Sequence, residues 1–134
     1  MRSPRLLFVL AISLPFAGCV VAAVAAGAAA TYGVIKYTQN EAQQDFHASL
    51  DDTWRATIAA LRSAGYSVAD TAAHAETAGK IEAGDAVVHV ERYPSDFTRV
   101  SVRIGTFETD ETKRKAGLIL EDIGKRLGEA SAPK

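Results

Sequence analysis

At 134 residues, 48% hydrophobic and 23% charged, the chain has room for one ordinary domain with a small core and not for two. A formal net charge of −1, with no basic cluster interleaved with aromatics, argues against a nucleic-acid groove. A single cysteine excludes an internal disulfide and a thiolate metal site, and no tandem repeat is visible at solenoid or propeller periods.

The charge is unevenly placed, because Arg2 and Arg5 are the only charges before Lys36; beyond residue 18 the chain holds 13 basic and 16 acidic side chains. Met1 to Arg5 is a short basic start, Leu6 to Ala17 an apolar stretch, and Ala17-Gly18 a pair of small residues suited to cleavage. Together they read as a secretory signal peptide over residues 1–18. Phe16-Ala17-Gly18-Cys19 resembles a bacterial lipobox, with Phe16 where Leu is usual. That resemblance implies cleavage between Gly18 and Cys19 and lipid attachment at Cys19, as diacylglycerol plus an amide-linked chain such as palmitate. The pattern has a mechanical reason: the small residues give the peptidase access, and the thiol is the nucleophile that takes the lipid. A single acyl chain binds a bilayer only marginally, so stable anchoring needs the additional chains. Val20 follows the cysteine where Asp would favour retention in the inner membrane, which implies the outer membrane of a Gram-negative envelope.

Two other readings of this segment stay open. Leu6 to Ile35 is a run of 30 uncharged residues, long enough for an uncleaved signal anchor in the inner membrane. Pro15 interrupts that run, its second half is mostly Ala and Gly, and basic residues at both ends give no orientation. Alternatively, Cys19 is simply a small apolar residue in a signal peptide cut elsewhere. Residues 19–31 read as an Ala/Gly-rich membrane-proximal tether, although Ala23, Gly27 and Ala30 would also permit close helix packing.

From residue 32 to 128 the pattern is that of a folded domain. Tyr32 to Gln39 reads as the start of a strand that continues towards Phe46 through a polar stretch. Ser49 with Asp52 has the spacing of a capping box, Leu50, Trp54, Ile58 and Leu61 recur at helical spacing, and Gly65 stands where a C-terminal glycine belongs. A helix over 49–64 follows. Tyr66 to Val68 leads into a soft segment, and Lys80 to Tyr93 carries a Gly84-Asp85 turn followed by β-branched residues. After a turn at Pro94-Ser95-Asp96, Phe97 to Phe107 reads as a strand with Thr98, Val100, Val102, Ile104 and Thr106 on one face and Arg99, Ser101 and Arg103 on the other. Thr109-Asp110-Glu111 opens a second helix with Ala116, Leu120, Ile123 and Leu127 inward, and 129–134 is a frayed tail. The expected class is α+β in two layers: an antiparallel sheet of about four strands, in the order strand, helix, strands, helix, with both helices on one face.

The Phe16–Cys19 motif, the Ala/Gly leader, the Trp54 helix ending in Gly65-Tyr66, Gly79-Lys-Ile-Glu82 and Arg99 to Phe107 together resemble a family of small, uncharacterised proteobacterial lipoproteins defined by a domain of unknown function. Where that family typically continues with Gly-Asp, this chain has Glu108-Thr109-Asp110. The layout is also similar to helix-grip domains of outer-membrane assembly lipoproteins, a likeness of fold alone.

Signals for chemistry are sparse. His47, His74 and His89 have no metal-ligand spacing, and no phosphate loop, HExxH or GxSxG occurs, so no cofactor and no enzymatic activity is expected. Adjacent carboxylates at Asp51/Asp52 and Glu82/Asp85 read as end charges of a helix and a turn. Arg99 and Arg103, with Arg92 on a neighbouring strand, form a candidate anionic contact; cross-strand pairing with Glu91 and Asp96 is the alternative. Expected partners are therefore the membrane, through the N-terminal lipid, and an envelope protein. A lipid or hydrophobic ligand held between Trp54, Leu61, Leu120 and Ile123 is the competing function.

Overall fold

The computed structural model describes residues 33–105 and 109–130. Their elements run β1 (Lys36–Tyr37), β2 (Ala42–Phe46), α1 (Leu50–Ser63), β3 (Ala78–Ala83), β4 (Ala86–Tyr93), β5 (Phe97–Ile104) and α2 (Asp110–Ala130). Among the described residues the strands form one antiparallel sheet in the order β1-β2-β5-β4-β3. α1 lies over β3 and β4, α2 over β2 and β5, and the helices pack on each other. The α+β class and the two helices on one face agree with the sequence.

The first strand differs from expectation. What reads as one strand from Tyr32 towards Phe46 is a hairpin, because Thr38 donates both its N–H and its hydroxyl to the Glu41 carbonyl, at 2.9 and 3.2 Å, and turns the chain. Tyr37 then faces Ala42 across the hairpin. The sheet thus gains a strand over the four expected, and the polar stretch proves to be β2, with Ala42, Gln44 and Phe46 turned inward.

α1 begins and ends where its sequence says it should. The Ser49 hydroxyl accepts from the Asp52 N–H at 3.1 Å, and at the other end the Gly65 and Tyr66 N–H groups donate to the Arg62 and Leu61 carbonyls, with Gly65 at φ 89°. That is the double closure of a Schellman ending. α2 opens on a reciprocal pair in which the Thr109 N–H donates to the Thr112 hydroxyl and the Thr112 N–H donates to the Thr109 hydroxyl. Two turns set the strand register. Gly84, at φ 61°, takes the first position of the two-residue turn between β3 and β4, and Asp96, at φ 58°, supplies the left-handed residue of the three-residue turn between β4 and β5.

One core fills the space between the layers. Val88, Val90, Val100 and Val102 from the sheet meet Leu61, Leu120 and Ile123 from the helices, all closed to solvent. Burying each such side chain contributes about 1.5–3 kcal/mol. The buried hydroxyls are satisfied: Thr53 donates to Ser49 O, Thr57 to Thr53 O and Thr98 to Ala48 O, at 2.8, 2.7 and 2.8 Å. The strand expected to reach Phe107 ends at Ile104, where Gly105 at φ 71° donates its N–H to the Asp85 carbonyl; Thr106 and Phe107 lie outside the described residues.

Two glycines separate tight from open packing. A Cβ on Gly79 would stand 2.8 Å from Trp54 Cη2 and 2.6 Å from His74 Cβ, whereas one on Gly128 meets nothing within 4 Å. Gly79→Ala is expected to lower stability by about 1–3 kcal/mol, and Gly128→Ala to raise it by up to about 1 kcal/mol, in urea unfolding. Ser49→Ala should cost about 1 kcal/mol at neutral pH. The Ser49 hydroxyl, with help from Arg55, holds the Asp52 carboxyl below its ordinary value. That contribution is present above the unfolded carboxyl's titration and lost as the pH falls through it, so the gap between wild type and Ser49→Ala should narrow below about pH 4.

Candidate functional site

With both helices on one face, the other face of the sheet is open. Alternation sends Gln43 and Asp45 of β2, Arg99, Ser101 and Arg103 of β5, and His89, Glu91 and Tyr93 of β4 to that side. The register sets Asp45 directly across from Arg99 and Tyr93 across from Phe97. As a result the Arg99 guanidinium binds both oxygens of Asp45, Nε to Oδ1 at 2.7 Å and Nη2 to Oδ2 at 3.0 Å. It also lies 4.8 Å from the centre of the Tyr93 ring and 5.8 Å from that of Phe97. The two rings stack at 5.0 Å, only 6° from parallel. The hydrogen bonds it donates to Asp45 are the largest influence on Arg99 and hold its guanidinium firmly protonated.

This arrangement divides the residues that the sequence offered as one anionic contact. Arg99 already has a carboxylate, and its partner is Asp45 rather than Glu91 or Asp96. Arg103 shares its strand face but is exposed and stands opposite Val87. Arg92 has the inward parity of Val88 and Val90, so it emerges from the helix side near Glu76 and belongs to no stripe with the other two. Asp45 was invisible as a site residue because its strand was hidden in a polar run.

A second cluster lies at the start of α1. His74 sets its Nε2 2.8 Å from Asp51 Oδ1 and its Nδ1 2.7 Å from the Ala75 carbonyl, with its ring edge-on to Trp54 at 5.2 Å. Both ring nitrogens face oxygens of the fold, so the ring is held between Asp51 and the Ala75 carbonyl. Asp51 and Asp52 turn to different partners, His74 for the first and Ser49 with Arg55 for the second, and do not work as a carboxylate pair. Glu82 pairs with Lys80, whose hydrogen bond and charge hold its carboxyl below the ordinary range and so keep it ionised rather than poised as an acid. His89 is exposed on the strand, as its alternation with Val88 and Val90 requires. Among the described residues no three of His, Cys, Asp and Glu gather as metal ligands.

Trp54, Leu61, Leu120 and Ile123, the residues that would enclose an apolar ligand, belong to the continuous core. The roomier space lies outside them, in an open groove of about 620 Å³ between the end of α1 and the middle of α2. Ala60, Ala64, Tyr66, Leu118 and Ile119 line it, and Arg126 bridges it by binding both Asp122 and the Ser63 hydroxyl. Leu118 is 57% exposed there. Burial, followed by the nearby Asp85 charge, pushes the Tyr66 hydroxyl up and keeps it neutral. Gly18 and Cys19, the cleavage and lipid-attachment residues, lie outside the described residues, and among those described no helix is long and apolar enough to cross a membrane.

The family described as "Protein of unknown function (DUF3568)" matches residues 4–125, and the chain belongs to it. No curated protein matches the sequence.

The arginine assignments separate by mutation. Arg99 and Asp45 are each about 30% exposed, so the pair is only partly screened. A double-mutant cycle of Asp45→Asn with Arg99→Met, read by urea unfolding, is expected to give a coupling of about 1 kcal/mol. Arg103→Met should change stability by less than about 0.5 kcal/mol.

Proposed function

We propose that this member of the family is a non-enzymatic, lipid-anchored protein of the outer membrane, whose small α+β domain faces the periplasm and engages an envelope partner. The observation that carries the reading is Ala17-Gly18-Cys19 at the end of a leader that is basic and then apolar. A thiol at that position can be alkylated with diacylglycerol before cleavage, and the amine freed by cleavage can be acylated. Two or three chains hold a protein to a bilayer where one does not. Val20 supports release to the outer membrane over inner-membrane retention.

The interaction role is supported by what the domain displays. Its groove is surface-open, with Leu118 projecting between Lys115 and Asp122, and its second sheet face lacks a covering layer among the described residues. Such features suit contact with a macromolecule. The same groove favours a second reading, a module that binds an extended hydrophobic ligand along α1 and α2.

Mass spectrometry of the protein from isolated membranes tests the anchor. The mature chain is expected to begin at Cys19 and to carry diacylglycerol and an amide-linked acyl chain, and Cys19→Ser should accumulate as unprocessed, unlipidated precursor. An intact Met1 would instead establish the signal anchor. Crosslinking in the native envelope through a photoreactive residue at position 118 tests the partner. A discrete protein adduct supports the interaction reading, and a lipid adduct alone supports the ligand-binding module.

A further inference from the structure

We propose that the open corner of the sheet where the leader joins the domain, made of Val34, Tyr93, Pro94 and Phe97 around the Arg99–Asp45 pair, is a lipid-contacting surface that rests on the bilayer holding Cys19. The inference rests on the anchor reading above and adds an orientation to it. The domain would not swing freely on its tether but would sit with one particular corner against the membrane.

The position of the leader supports this first. Gly33, where the described fold begins, donates its N–H to the Asp45 carbonyl at 2.7 Å, and its own carbonyl accepts from Gln44 Nε2 at 2.7 Å. The leader is thereby pinned to the residue whose carboxylate grips Arg99, and Arg99 in turn covers Tyr93. An extended chain spans at most about 3.5 Å per residue, so the tether lets any face reach the bilayer. The corner at its root is the face that meets the membrane with least chain to order, at high effective concentration.

The chemistry of the corner supports it second. Val34 is 83% exposed, the most exposed large hydrophobic residue among those described. Beside Asp45, the stacked Tyr93 and Phe97 leave part of each ring uncovered, and Pro94 is exposed at the tip of the turn between them. Tyrosine, with an apolar body and a polar tip, is enriched at the level of lipid headgroups. Arg99 is paired with Asp45, Glu91 stands across from it on β4 and Asp96 lies in the adjoining turn, so the corner has no basic excess. The contact is therefore one of apolar and aromatic burial in the headgroup region, not attraction to anionic lipid.

The test uses the full, lipidated chain in phosphatidylcholine vesicles. A nitroxide is placed at Ser95→Cys, in the turn between the rings, or at Asp85→Cys, in the turn beyond the opposite end of β4. Lipidation consumes the Cys19 thiol, so only the introduced cysteine is labelled. On reconstitution the Ser95 label is expected to lose collisions with a water-soluble nickel complex by at least about threefold, consistent with burial at the headgroup boundary. The Asp85 label should not change, and 0.5 M potassium chloride should leave both unaffected. Tyr93→Ser with Phe97→Ser, whose folding is checked by its melting curve, should restore the collisions. Equal exposure of both labels, in a chain whose mass shows the lipid, overturns the surface while leaving the anchor standing. Loss of protection at Ser95 in salt overturns the apolar basis of the contact, and a mass without lipid overturns the anchor and the surface with it.

Discussion

β5 lies between β2 and β4, and its inward residues Val100, Val102 and Ile104 are closed to solvent by α2. Because a strand's side chains alternate, burying those three forces Arg99, Ser101 and Arg103 to the opposite side. A slip of one residue in either pairing would put guanidinium groups into the core, at a desolvation cost that no partner there repays. The two-layer form, the direction of the open face and the Asp45–Arg99 pair therefore follow from the register of one strand. The turn at Asp96 reinforces it, since it fits only one offset between β4 and β5, and the turn at Gly84 fixes β3 on β4 in the same way.

This constraint explains which parts of the fold could be read from the sequence. β5 and α1 were legible because their periodicities are clean and their ends carry specific residues, Ser49 and Gly65 above all. β2 was obscured because one of its three inward positions is Gln44, which breaks the apolar alternation that marks a strand. Losing β2 concealed the Thr38–Glu41 turn and, with it, Asp45 as the partner of Arg99. A local pattern can show that Arg99 and Arg103 share a face. It cannot show what stands across from them, since Asp45 is 54 residues away from Arg99. Arg92 was misplaced for the opposite reason: it keeps the inward parity of its strand, yet it stands where the strand runs past the helices. Pocket geometry such as the α1–α2 groove had no sequence signature, because Leu118 is one apolar residue off the stripe of an otherwise regular helix.

Several side chains of the types used in catalysis make contacts that hold the fold. His74 ties the irregular segment before β3 to the first turn of α1 through Asp51, and its Cβ together with the Trp54 ring leaves room only for a glycine at position 79. Ser49 and Asp52 close the end of α1, and Lys80 neutralises Glu82. Beyond these contacts, the surfaces with room for another molecule are the groove and the open sheet face. Each sets apolar or aromatic groups beside an ion pair, Leu118 near Arg126–Asp122 in the groove and Tyr93 with Phe97 near Arg99–Asp45 on the sheet.

The treatment of Gln44 shows that the leader's point of attachment is specified. Gln44 is 4% exposed on the inward side of β2, where an aliphatic residue would serve the core better, and its Oε1 has no protein partner among the described residues. An unmatched buried acceptor costs about 1–3 kcal/mol. The compensating interaction is the bond from its Nε2 to the Gly33 carbonyl, which with the bond from Gly33 N–H to Asp45 fastens the chain along β2 before β1 begins. Fastening Gly33 beside Asp45 fixes where the chain enters the sheet and where the β1–β2 hairpin starts.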